Sequence, residues 1–158
     1  MAAFFTSKPL WRGPDPALAV SLIVRVDGGS RGNPGPAGYG VAIEDEFGGP
    51  LTSLRAALGR QTNNYAEYCG LLAGLRYARE QGAQRVRVFA DSQLLVRQMQ
   101  GLYQVKSPNL QPLYAEARHL VAGFRDFAIA HVRREQNREA DRLANLAMDE
   151  AAQTRPPA

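Results

Sequence analysis

Three extended-type segments precede the first helical one, and only after it do strand and helix alternate. Ala19 to Asp27 is apolar and β-branched, the composition of a buried strand. Gly28 to Gly38 is crowded with Gly and Pro and reads as a turn. Tyr39 to Asp45 follows as a second strand, Phe47-Gly48-Gly49-Pro50 as a hairpin turn, and Leu51 to Leu58 as a third strand. From Asn63 to Gln81 the period becomes helical, with Tyr68, Leu71, Leu72, Leu75 and Ala78 on one face. Gly82 stands where such a helix should stop. Arg85 to Ala90 alternates as a fourth strand. Ser92 to Gln100 and Asn109 to Ala122 are helical, Phe124 to Val132 is a fifth strand, and Asn137 to Ala152 a final helix. The order βββαβααβα predicts an α/β (α+β) fold: a five-stranded mixed sheet with helices packed on it.

A chain of 158 residues with 45% apolar content supports one domain with one core. That domain is expected over residues 20–153. An irregular arm, 1–19, precedes it, with Phe4, Phe5, Leu10 and Trp11 available for docking, and a frayed tail, 154–158, follows. No apolar run nears the ~20 residues of a membrane span, and no charged segment precedes the short apolar patch Ala2 to Phe5, so neither a membrane anchor nor a secretory signal is expected. Cys69, the single cysteine, rules out an internal disulfide and fits a reducing, cytoplasmic setting. A net charge of +4 favours polyanionic partners. No protein partner is evident, and a monomer is the expected state.

Four acids occupy special local settings. Asp27 ends the first strand ahead of Gly28-Gly29, and Glu67 lies in the first turns of a helix. Asp91 sits where the apolar strand Val86 to Ala90 stops, and Asp141 is inside the last amphipathic helix. Strand ends are where α/β sheets place ligands. Two aspartates on neighbouring strands, joined by a helical Glu, would repel one another unless a cation neutralised them. An all-oxygen donor set selects hard ions such as Mg²⁺ or Mn²⁺, and two histidines and one cysteine without zinc spacing argue against a soft metal. Taken singly, each acid also suits a local role: Asp27 and Asp91 as turn or cap residues, Asp141 as a solvated helix face. The set, with the words around each member, carries the argument.

Those words are Val26-Asp27-Gly28-Gly29-Ser30-Arg31-Gly32-Asn33-Pro34-Gly35, Thr62-Asn63-Asn64-Tyr65-Ala66-Glu67-Tyr68, Phe89-Ala90-Asp91-Ser92-Gln93-Leu94-Leu95-Val96, and the stretch from His131 to Asn145 that holds Asn137-Arg138-Glu139-Ala140-Asp141. In this order they resemble the type 1 ribonuclease H family, over about Ser21 to Ala147. The resemblance implies a ribonuclease-H-like fold and an endonuclease that hydrolyses the RNA strand of RNA/DNA hybrids, leaving 5′-phosphate and 3′-hydroxyl ends. It implies Asp27, Glu67, Asp91 and Asp141 as the catalytic, metal-binding carboxylates. Two Mg²⁺ ions (or Mn²⁺) would act with substrate bound: Asp27 would bridge them, Glu67 and Asp91 would complete one site, and Asp141 the other. It also implies that Asn33, Thr62, Asn63 and Asn64 meet the substrate. An amide can donate to and accept from a ribose 2′-hydroxyl, and a helix start with Thr62 before it suits a phosphate. Asn63 is equally suited to cap its helix.

Two departures from the family pattern stand out. The stretch Gly101 to Pro108 is short and holds only Lys106, where longer members carry a basic loop. Dispersed charges such as Arg60, Arg76, Arg133 and Arg134 must then supply hybrid affinity. The loop Arg133 to Gln136 lacks the histidine some members place there; Arg134 is the residue available to replace it, while His131 is expected to pack as part of its strand. The alternatives are a non-cleaving hybrid- or RNA-binding module, and a metal nuclease acting on double-stranded RNA or RNA–DNA junctions.

Overall fold

The computed structural model describes residues 20–154, so the expected arm and all but the first residue of the expected tail lie outside the described residues. Among the described residues, five strands and four helices follow in the expected order: β1 Ser21–Ser30, β2 Gly35–Asp45, β3 Pro50–Gln61, α1 Asn63–Glu80, β4 Arg85–Ala90, α2 Gln93–Met99, α3 Gln111–Ala122, β5 Asp126–His131 and α4 Arg138–Gln153, with a 3-10 turn, Arg134–Gln136, before α4. The sheet runs β3-β2-β1-β4-β5. The β1–β2 and β2–β3 pairs are antiparallel, and β1–β4 and β4–β5 are parallel. It is thus a mixed sheet, hairpin-built on one side and crossover-built on the other.

Alternation along β1 and β4 turns Leu22, Val24, Val26, Val86, Val88 and Ala90 to one face, where they are sealed against Tyr68, Leu71, Leu72, Leu75 and Ala78 of α1. Leu95, Val96 and Met99 of α2 and Ala117 and Leu120 of α3 extend this core. Each large apolar side chain buried here contributes roughly 1.5–3 kcal/mol, so the helix stripe read from the sequence is the one that closes the fold. Helix α4 packs on β1, β2 and β3.

The Gly/Pro-rich stretch departs from its reading as one long turn. Gly28 to Ser30 and Gly35 to Gly38 are paired strand, with Gly28 opposite Tyr39 and Gly29 opposite Gly38, and the turn shrinks to residues 31–34. Gly28 in β1 and Gly40 in β2 serve close approach. A Cβ on Gly28 would lie 2.5 Å from the Ala66 backbone of α1, and one on Gly40 would lie 2.5 Å from the Ala140 carbonyl of α4. Both helices therefore press onto β1 and β2 where those strands have no side chain. Arg31 fastens the turn to α4 by pairing with Asp149 and bonding the Asn145 carbonyl at 3.3 Å.

Candidate active site

Strands β1 and β4 are parallel neighbours with Val26 opposite Ala90, so Asp27 and Asp91 emerge side by side at one end of the sheet. Asp27 is not the end of its strand as expected: β1 runs on to Ser30, and Asp27 is held within the β1–β2 ladder opposite Gly40. The two glycines explain how two helices reach it. Gly28 admits the α1 backbone at Ala66 and Glu67, which brings Glu67 to the strand end. Gly40 admits the start of α4, which brings Asp141 beside Asp27.

Asp27, Glu67 and Asp91 each offer a carboxylate oxygen to a set whose members lie within 4.8 Å of one another. Burial, then the negative charge of Asp91, then hydrogen bonds shared with Asp141 and Asp91 push the Asp27 carboxyl up to about 8, against the opposing Gly28 N–H, which donates to it at 2.9 Å. Burial likewise pushes Glu67 up to about 7; the charge of Asp91 adds to the rise and a hydrogen bond with Ser92 opposes it. The Ser92 hydroxyl also accepts from the Leu95 N–H at 3.2 Å and caps α2, so Asp91 is free of the cap role its position allowed. Asp141 stands apart from the close trio but shares a hydrogen bond with Asp27. The Arg134 guanidinium, 77% exposed, reaches 3.8 Å from Asp91 and 3.9 Å from Asp141.

The amide side of the cleft is tied down by its own hydrogen bonds. The Thr62 hydroxyl accepts from the Tyr65 N–H at 3.2 Å, so Thr62, not Asn63, caps α1. The Asn63 side-chain carbonyl instead accepts from the Ser30 N–H at 2.8 Å, and the Asn33 side-chain carbonyl accepts from the Asn63 N–H at 3.0 Å. Asn63 and Asn64 line a cleft of about 580 Å³ together with the four carboxylates and Arg134, whereas Asn33 and Thr62 are exposed and do not line it. Of the dispersed cations, Arg76 is paired with Glu116 at 2.5 Å, while Arg60 and Arg133 are exposed.

Two residues were misread or missed. His131 does not pack: it is exposed and lines the cleft, because the cover over β5 stops at the buried Ile129, one alternation earlier. Its place at the end of a parallel strand, beside Ala90, was the available signal. Gln93, at the start of α2, also lines the cleft.

The donor set fits a hard divalent cation: three carboxylates within mutual reach, no soft ligand among them, and two of them raised toward neutrality by surroundings that positive charge would relieve. Such a site can hold cations against a phosphate. No helix among the described residues is long and apolar enough to cross a membrane.

A family model described as Reverse transcriptase-like matches residues 25–147. The bifunctional protein Rv2228c of Mycobacterium tuberculosis is 48% identical over 136 residues, which is 85% of this chain and 37% of that protein. The chain thus spans little more than a third of that relative. Its N-terminal RNase H domain superposes with a TM-score of 0.83, covering 85% of this chain and 98% of the solved one. Ribonuclease HI of Halobacterium salinarum is 42% identical over 125 residues, 79% of this chain and 63% of that protein. The structure of LC11-RNase H1 in complex with an RNA/DNA hybrid matches with a TM-score of 0.78 at 43% identity, covering 83% of this chain and 99% of that one.

Proposed function

The chain belongs to the ribonuclease HI family, and we propose that it is an endonuclease that hydrolyses the RNA strand of RNA/DNA hybrids by two-metal-ion catalysis, leaving 5′-phosphate and 3′-hydroxyl ends. The observation that carries this reading is the meeting of Asp27, Glu67 and Asp91 within 4.8 Å, from β1, α1 and the residue just after β4, far apart in the chain. Asp27, Glu67, Asp91 and Asp141 would hold two Mg²⁺ or Mn²⁺ ions with substrate bound. The chemistry those ions supply is activation of water and neutralisation of charge on the phosphate and the leaving oxygen.

The chain's own residues do the rest. Gly28 and Gly40 set how near α1 and α4 bring Glu67 and Asp141 to Asp27. Asn63 and Asn64 line the cleft beside the carboxylates, where side-chain amides can read a 2′-hydroxyl. Asn33 buttresses Asn63, and Thr62, capping α1, would serve a phosphate of the DNA strand at the helix start. Arg134 is exposed at the carboxylates and can meet the substrate there, in the loop that lacks the histidine some family members carry. This reading includes a monomer working in the cytoplasm; the lone Cys69 fits such a reducing compartment.

The test is cleavage of a labelled hybrid with Mg²⁺ and with chelator, alongside an RNA duplex and a DNA duplex holding one ribonucleotide. Chelator-sensitive cutting of the hybrid above the other two is expected. Hybrid binding without cutting at any metal concentration would overturn the enzyme reading, and preference for either other substrate would overturn the substrate.

A further inference from the structure

We propose that Asn137 is a positioning residue that sets the reach of Asp141 toward Asp27 and thereby the affinity of the carboxylate cluster for divalent cations. The inference rests on the reading of Asp141 as a cation ligand. Asn137 is fully buried at the start of α4. An asparagine there ordinarily turns its side-chain oxygen to the first amides of its helix. This one makes no such cap bond. Its side-chain NH₂ instead crosses to the sheet and donates to the Val26 carbonyl at 2.8 Å, one residue before Asp27. Its own backbone carbonyl accepts from the Asp141 N–H at 3.0 Å, and its N–H donates to the Arg134 carbonyl at 2.9 Å.

One residue therefore connects the backbone next to Asp27, the backbone of Asp141 and the backbone of Arg134. Gly40 allows α4 to come close; the Asn137 bond fixes where it stops. The Asn137 side-chain oxygen is buried without a partner. Burying an unpaired acceptor is destabilising, so the amide is poorly explained by stability alone and well explained by its donor. Ligands held by supporting hydrogen bonds lose about 10–100-fold in metal affinity when the support is removed.

The experiment is Mn²⁺ binding to the full chain, followed by the EPR signal of free ion, for wild type, Asn137→Ala, Asn137→Leu, Asp141→Asn and Leu120→Ala. The last is a buried α3 residue remote from the cleft and controls for lost stability. Both Asn137 variants are expected to bind Mn²⁺ about tenfold more weakly. The Mn²⁺ needed for half-maximal hybrid cleavage should rise by the same factor, with KM for hybrid unchanged, and Leu120→Ala should bind as wild type. Wild-type affinity in a folded Asn137 variant, with Asp141→Asn weakened, would overturn the positioning role alone. Wild-type affinity in Asp141→Asn would overturn the ligand assignment and this inference with it. Equal weakening in Leu120→Ala would reduce the effect to general stability and overturn the inference.

Discussion

The same two strands do opposite things at their two ends. Along β1 and β4, Leu22, Val24, Val86 and Val88 are sealed against α1. A few residues further on, Asp27 and Asp91 crowd carboxylates together in surroundings that hold Asp27 near 8 and Glu67 near 7. The first end stabilises the fold. The second opposes it, because ionising a carboxylate there costs its hydration and sets it against its neighbours' charge. The difference teaches that the rigid half is the mount for the strained one: a cluster that would push itself apart on loops is kept together on paired strands backed by a packed core.

If that division holds, changes at the two ends should separate activity from stability. Asp27→Asn should cut hybrid cleavage by about three powers of ten or more, the scale of lost metal-ion catalysis, while the ion-free protein melts at a higher temperature than wild type. Parallel cleavage assays and thermal melts would check both halves of that statement. Leu22→Ala, in the same strand, should do the reverse: lose roughly 2–5 kcal/mol of stability by urea unfolding and leave kcat of the folded fraction unchanged. A Leu22 variant that lost kcat in proportion to stability would erase the distinction between the ends.

Acidity sharpens it further. Asp27 is raised in the folded state to about 8, against about 3.9 in an unfolded chain. The folded protein thus binds more protons than the unfolded one between these values, and ion-free stability should fall as pH rises from about 4 to about 8. The urea midpoint should drop over that window, drop less in Asp27→Asn, and be restored by excess Mg²⁺. The smallest effect is expected at the rim. Arg134→Ala should weaken hybrid binding about uniformly across sequences and lower the salt slope of affinity by about 1, measured by titration at several ionic strengths in Ca²⁺.

Much of this was legible in the chain. The stripe Tyr68, Leu71, Leu72, Leu75 and Ala78 is the buried face of α1, and each of the four acids lies at or beside the cleft. What escaped depends on partners distant in sequence. A glycine needed because a helix presses on it looks, in sequence, like a glycine needed for a turn; Gly28, under α1, and Gly38, under α4, were read as the second and are the first. His131 shares the alternation of the buried Ile129, and only the place where the helical cover stops separates them. Asn137 looks like a helix start because its partner, the Val26 carbonyl, is 111 residues away.

Asp27, Glu67 and Asp91 are expected to hold together the cations that cut. A crystal of the protein grown in Mn²⁺ and measured at the manganese absorption edge addresses this directly. Anomalous density is expected at ligand distance from all three carboxylates, lost in Asp27→Asn. A cleft without such density, in protein that still cuts hybrid in the same Mn²⁺ solution, would contradict it.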